Sequence, residues 1–419
     1  MPNTLNNSNQ RLARDLDLQI SAVSVKLQGS MLPIVEVLIG SSSHRPIALA
    51  RRLKIDKTLT GRILRSVKAN DPFEVIHNAP APHGLRIFLQ AAEKAGVNPE
   101  LRARAEQSIT DFESLIHTFP EGRAALEAAI SDHIPEIRRQ NERAAKQAVY
   151  KSMSYLLGYQ AEASLLTSVA SPSPCGNLVD MMHVDSMIGL RRLRGETPVN
   201  LFGIRRHDTR SGTPNWMETL DGVRDVEDAR LYLLEDYCDN PIPRLSVREN
   251  GNVLYSVLDA ESLPINRPMT IVNSWKLRNA SLRYSDAQHT HEWHSSLLRI
   301  PMRVRIQDYF IHKDIWPSNP EFVPSMPGLS QDSVRSGDHK QRHDTIDMDI
   351  PLHQLGVGIN RPELRHSSVP RYQELLRRIF DTANLNPDDY RVYRSEVVYP
   401  VPFVRVTAWF ELPEAPADS

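Results

Sequence analysis

Cysteine is nearly absent: Cys175 and Cys238 are the only two in 419 residues, and neither stands in a CxxC spacing. A disulfide scaffold and a thiolate zinc site are thereby excluded, and both residues are expected to be plain buried thiols. Long apolar runs are also missing. Stretches such as "MLPIVEVLIG" (31–40) fall well short of the roughly 20 residues that cross a bilayer, and the first ten residues, "MPNTLNNSNQ", lack the apolar core of a signal peptide. No membrane partner and a cytoplasmic location are the expectation. The chain contains no nucleophile elbow, Walker loop, dinucleotide fingerprint or HExxH motif. No cofactor is implied, and an enzyme is the less favoured class.

What is present is ordinary globular material, 40% hydrophobic and 24% charged, long enough for two or three domains. Neither sign of charge prevails overall, at a net −1, but the distribution is uneven. Residues 45–68 carry eight Arg and Lys against the single acid Asp56, a local +7 that leaves −8 for the rest. Such an asymmetry points to an anionic partner, and nucleic acid is the commonest.

Punctuation by Gly and Pro divides the chain. Residues 1–18 are Asn-rich and read as frayed. Residues 21–43 offer an apolar helix interrupted by Gly29 and Pro33, and Glu74–His77 offers one short strand-like run. Ala, Leu and Ile at helical spacing then make residues 84–170 helical. In the last of these helices Ala145, Val149, Met153, Leu156 and Leu157 form a stripe suited to a core face or a dimer seam. After "SPSPCGN" (171–177) β-branched residues and prolines increase. Asn250-Gly251 marks a hairpin within 244–258, further strands are expected in "MTIVNSWKL", "SLLRIPMRVRIQDYFI" and "SEVVYPVPFVRVTAWFEL", and helices at 226–236 and 370–384. Residues 323–345 read as a long polar loop.

Within the basic stretch, Leu49, Ala50, Leu53, Ile55, Ile63 and Leu64 have the spacing of two short helices sharing a core, and Asp56 can cap the second. The segment "LARRLKIDKTLTGRILR" (49–65) resembles the helix-turn-helix of bacterial transcriptional regulators of winged-helix-like type. Lys54 stands where that turn has Gly, and Leu59–Thr60 reverses the family's polar-then-apolar order. The resemblance implies a recognition helix from Asp56 to Lys68 in the major groove of double-stranded DNA. Arg51, Arg52, Lys54, Lys57, Thr58, Gly61, Arg62, Arg65 and Lys68 are the DNA-contacting set it implies, divided between phosphates and base edges.

The expected fold class is therefore α+β. A helix-turn-helix bundle occupies 1–83, a helical connector or dimerisation region 84–170, and a mixed α+β sensor or interaction domain with antiparallel strands 175–419. The functional expectation is a homodimeric DNA-binding regulator, with a small-molecule effector or a protein partner acting on the C-terminal part. Two alternatives stand beside it. One is an adaptor whose helix-turn-helix contacts protein; the other is a metal-dependent enzyme built on His289, His291 and His294 in "HTHEWH", near Glu292, His183 or His312. The charge run 338–349 reads as solvated, and Trp293 and Trp316 as core or pocket-lining residues.

Overall fold

The computed structural model describes residues 3–40, 46–131, 133–194, 198–205, 216–224, 228–250, 253–259, 265–327 and 344–416. They form two compact units, Met1–Asn141 and Glu142–Ser419.

The first unit is helical: α1 (Asn3–Ile39), α2 (Pro46–Leu53), α3 (Lys57–Lys68), α4 (Pro72–Asn78), α5 (Pro82–Lys94), α6 (Pro99–His117), α7 (Arg123–Ser131) and the beginning of α8 (Pro135–Leu157). Proline opens α4, α5 and α6, where its missing N–H costs nothing. Ile20, Leu27, Ile34 and Leu38 of α1 meet Ala105, Ile109 and Phe112 of α6 in one core. Contrary to the sequence reading, α1 starts at Asn3 and runs through Gly29 and Pro33 without a break. Burial of its apolar stripe outweighs the weak local propensity. Contrary to the expectation of no bilayer-length apolar run, the stretch Arg14–Ile39 is long and apolar enough, by length and composition, to cross a bilayer. The inner side of this helix instead lies in the protein core.

The expected strand at Glu74–His77 is helix α4. Asp71 accepts hydrogen bonds from Phe73 N (2.8 Å) and Glu74 N (3.3 Å), so an Asp-Pro start signal overrides a four-residue strand pattern. The helix expected to continue to Ala170 stops at Leu157. Gly158 there takes a left-handed φ of +78°, and a Cβ at this position would lie 2.9 Å from the Arg194 carbonyl oxygen. The buried face of α8 is Lys146, Tyr150 and Ser154, not the expected stripe, of which Ala145 and Leu156 are exposed.

The second unit is α+β and rich in antiparallel strands. Its large sheet has the order β11 (His353–Val357), β12 (Tyr390–Val398), β9 (Met302–His312), β1 (Tyr159–Pro172), β2 (Leu178–Arg192), β7 (Met269–Leu282), β4 (Trp216–Glu218). The β1–β9 pair is parallel and its other pairs are antiparallel. Helix α9 (Tyr372–Thr382), matching the helix read at 370–384, packs Leu376, Ile379 and Phe380 on one face against Leu165, Ile306 and Phe310.

Two three-stranded sheets contribute to the other side. One is β3 (Val199–Arg205), β6 (Val253–Leu258) and β5 (Leu245–Asn250); the other is β10 (Glu321–Ser325), β13 (Arg405–Glu411) and β8 (His291–Leu297). The β5–β6 hairpin is present and pairs Asn250 with Val253, so Asn250 of the Asn250-Gly251 turn read there belongs to the ladder, and Gly251 lies outside the described residues. The helix read at 226–236 is two single 3-10 turns, Ala229–Tyr232 and Glu235–Tyr237. Most of the loop read at 323–345, with His339 and His343, lies outside the described residues.

Candidate functional site

Helices α2 and α3 are joined by Lys54, Ile55 and Asp56. Lys54 takes the left-handed φ of +54° for which a glycine is the easier choice. Ile55 N then donates to Ala50 O at 3.2 Å, and the Asp56 carboxylate accepts from Thr58 N at 2.7 Å and Leu59 N at 3.0 Å. Those N–H donors, Leu59 first, hold the Asp56 pKa below its ordinary value. Leu49, Ala50, Leu53, Ile63 and Leu64 are buried as the spacing required, and Ile55 and Leu59 are partly so. Of the reversed pair Leu59–Thr60, Thr60 is the fully buried one: its hydroxyl donates to Lys57 O (2.9 Å) or Pro46 O (3.1 Å), tying α3 to the start of α2.

The basic residues divide into two groups. Arg51, Lys54, Lys57, Arg65 and Lys68 are exposed and make no side-chain hydrogen bond or ion pair among the described residues; Thr58 is exposed beside them and Gly61 half-buried. On α3, Lys57, Gly61, Arg65 and Lys68 follow one another at three- and four-residue steps, so they share one face. That face borders a cleft of about 410 Å³ whose lining includes Gly61, Arg65, Lys68 and Glu74.

Arg62 and Arg52 are committed elsewhere. Arg62 donates to Ala79 O at 2.9 Å and Asn78 O at 3.3 Å, closing the C-terminal end of α4 together with Arg123, whose Nη2 lies 2.8 Å from the same Ala79 O. Burial, with Arg123 beside it, lowers the Arg62 pKa. Arg52 Nη1 donates to Leu38 O at the end of α1. Arg62, read as an outward-facing member of the DNA-contacting set, instead has its guanidinium taken up by backbone carbonyls, which at a helix end attract a cation.

The histidine cluster does not assemble. His289 Nδ1 bonds Asp286 Oδ1 at 2.9 Å before β8 begins, whereas His291 and His294, three residues apart in the strand, face opposite ways. His291 Nδ1 meets Thr290 Oγ1 at 2.9 Å and its ring meets Trp409. His294 sits among Trp316, Phe410 and His183, with Ser281 Oγ 3.3 Å from its Nε2. Among the described residues no group of three or more His, Cys, Asp or Glu side chains is placed to hold a metal ion. His312 bonds locally to Asp314, Glu292 is buried and accepts from Leu282 N at 2.9 Å, and Trp316 is fully buried in the core. Cys175 is exposed rather than buried, and Cys238 is half-buried.

Sequence reasoning missed a polar row inside the second unit. Strand register places Ser395, Gln307, Leu166, Asp185 and Asn273 side by side across β12, β9, β1, β2 and β7. Directly opposed residues share a sheet face, and this is the face away from α9. Gln307 and Asn273 are each 1% exposed, and among the described residues neither amide atom of either has a hydrogen-bond partner, nor does the Ser395 hydroxyl. Two residues back along β9 on the same face, Arg305 gives Nη1 to Ser164 and, at 3.4 Å, to Asp185, and Nη2 to Ser296 at 2.8 Å; its Nε has no partner among the described residues.

Burial pushes the Asp185 carboxyl up, opposed by Arg305. Next to it on the same face, two residues along β2, His183 is held neutral by burial, its pKa pushed down to about 4, with Nδ1 3.0 Å from Ser168 Oγ. Asp185 nevertheless keeps 19% of its side-chain surface accessible, so the row is not packed solid. No sequence motif announces this row, because its members come from five separated strands.

No family model and no curated protein matches the chain. Among solved structures it is similar to a "putative protease" from Parabacteroides distasonis, at a TM-score of 0.26 and 8% identity over 61% of this chain and 41% of that one. Native yeast LTA4 hydrolase gives a TM-score of 0.22 and 10% identity over 62% of this chain and 30% of that one. The chain thus spans less than half the length of either protein, and likenesses this distant carry no argument.

Proposed function

We propose that the chain is a DNA-binding transcriptional regulator of the helix-turn-helix class, with α3 as its recognition helix. The observation that carries this reading is the exposed face of Lys57, Thr58, Gly61, Arg65 and Lys68 on a capped, internally braced helix, with Arg51 and Lys54 beside it. Its cations have no partner among the described residues, and a row of such cations on one helix suits a polyanion. Arg65 is the candidate base reader, because its guanidinium is available for the bidentate pairing that guanine offers; Arg51, Lys54, Lys57 and Lys68 suit phosphates. A wing is not part of this proposal, since the segment read as its strand is α4. Regulators of this kind act in the cytoplasm on paired half-sites, which calls for two copies of α3. The second unit takes the sensing role, and the polar row beside the Arg305–Asp185 pair is where a small polar effector would meet the Gln307 and Asn273 amides, which have no hydrogen-bond partner among the described residues.

The test is fluorescence anisotropy of the whole protein on its own upstream DNA and on unrelated DNA, at two salt concentrations. Arg65→Ala is expected to cost 1–3 kcal/mol on the preferred site while changing stability by less than about 0.5 kcal/mol. Arg62→Ala is expected to do the reverse, lowering stability by about 1–3 kcal/mol as the α4 carbonyls lose their donor. Equal, weak binding to both DNAs that Arg65→Ala leaves unchanged would refute the regulator and favour a protein-binding use of the same helices.

A further inference from the structure

Helix α1 has two apolar sides. Ile20, Leu27, Ile34 and Leu38 are buried in the core of the first unit. On the opposite side Leu18 is 68% and Val25 61% exposed, in line with exposed Ala22 and Gly29 and half-buried Leu32. The positions 14, 18, 22, 25, 29, 32 and 36 advance by threes and fours, the step that keeps a helix face turned to a neighbouring helix over about 33 Å. The two ends of this line are oppositely charged: Arg14 is exposed at one and Glu36 at the other, and neither makes an ion pair among the described residues.

We propose that α1 joins two copies of this chain in an antiparallel helix pair centred on Val25. In that register Val25 meets the partner's Val25, and Leu18 meets the partner's Leu32. The small residues Ser21 and Gly29 face each other at two points of close approach, where a Cβ on Gly29 would at present meet nothing within 4 Å. Arg14 then meets the partner's Glu36, and the two-fold axis repeats that ion pair at the far end. A parallel pair would set Arg14 against Arg14 and Glu36 against Glu36, so the charges select the orientation. The surface is thus complementary to itself, which is the property that identifies the occupant as a second copy. This deepens the paired-half-site reading and rests on the residues of α1 alone.

The experiment uses the full chain with Cys175→Ser, and its readouts are molar mass by light scattering and disulfide formation under mild oxidation. A dimer is expected, in which Val25→Cys crosslinks to itself. Leu18→Cys mixed with Leu32→Cys should crosslink, and Leu18→Cys alone should not. Arg14→Glu is expected to weaken the dimer roughly fivefold and Arg14→Glu with Glu36→Arg to restore it, a rescue that a folding defect would not give. A wild-type monomer at tens of micromolar overturns the proposal, as does crosslinking of Leu18→Cys to itself, which would mean a parallel pair. A monomer that floats with phosphatidylcholine–phosphatidylglycerol vesicles until Val25→Asp is introduced would assign the face to lipid instead. Because the readout is mass, a dimer without DNA affinity and a monomer with it are separable results.

Discussion

Two buried polar groupings on opposite faces of the large sheet are held differently. Facing α9, Arg394 clasps Asp308 through Nε (2.8 Å) and Nη2 (2.7 Å), and Tyr372 donates to Asp308 Oδ2 at 2.6 Å while meeting Thr167 Oγ1 at 2.8 Å. The remaining Arg394 nitrogen reaches Glu363 O at 2.7 Å, and burial beside Asp308 drives the Tyr372 pKa well up. Each of these buried groups is paired. One residue earlier on β9 the side chain of Gln307 points to the other face, where it and Asn273 have no hydrogen-bond partner among the described residues and Arg305 is only partly paired. A closed network fixes structure, whereas an open one is available to another molecule. The difference separates scaffold from candidate site without reference to any motif.

The closed network carries the largest expected effect. Asp308→Ala strands the Arg394 charge and is expected to cost about 3–5 kcal/mol in chemical unfolding, while Asp308→Leu with Arg394→Met should recover most of that loss. If the single change costs under 1 kcal/mol, the network is not the brace described. Acid tests the open side. His183, near 6.5 when unfolded and about 4 when folded, leaves stability untouched above pH 6.5, where both states are neutral. As pH falls from 6.5 to 4 the unfolded state alone takes up the proton, and stability drops by up to about 3 kcal/mol before levelling off. Asp185, whose folded pKa is raised, works against this loss, because its burial penalty is relieved as it protonates. His183→Gln should flatten the pH 4–6.5 slope; an unchanged slope would show that other groups set it. The smallest effect is expected at the row itself, where Gln307→Leu removes an unpaired amide and should leave stability unchanged or raise it by about 1 kcal/mol. A loss above 2 kcal/mol would mean that Gln307 is satisfied in solution.

What could be read from the sequence was local. Asp56 as a cap, the buried Leu49, Ala50, Ile63 and Leu64, the antiparallel character of the second half and α9 all follow from spacing over a few residues. The failures were of longer range. Arg62 looked like a surface cation until α4 brought the Ala79 carbonyl, 17 residues on, against it. The apolar stripe of α8 lost to Lys146, Tyr150 and Ser154 because tertiary packing, not periodicity, chose its buried face. The polar row drew on positions 166, 185, 273, 307 and 395, a combination that only sheet register assembles.

The parallel pairing of β1 with β9 also bears on how the chain comes off the ribosome. The first unit draws its core from residues 16–137 alone, the α1–α6 contact included, and can close once that stretch has emerged. Strand β1, by contrast, leaves early and gains its partner on one side only when Met302–His312 has been made, and β9 in turn waits for Tyr390–Val398. Throughout that interval one edge of β1 is uncovered, a template for mispairing with another nascent chain. Nonsense or frameshift changes as late as residue 389 would therefore remove the neighbour of a central strand, leaving the helical unit intact and the rest as a target for proteolysis.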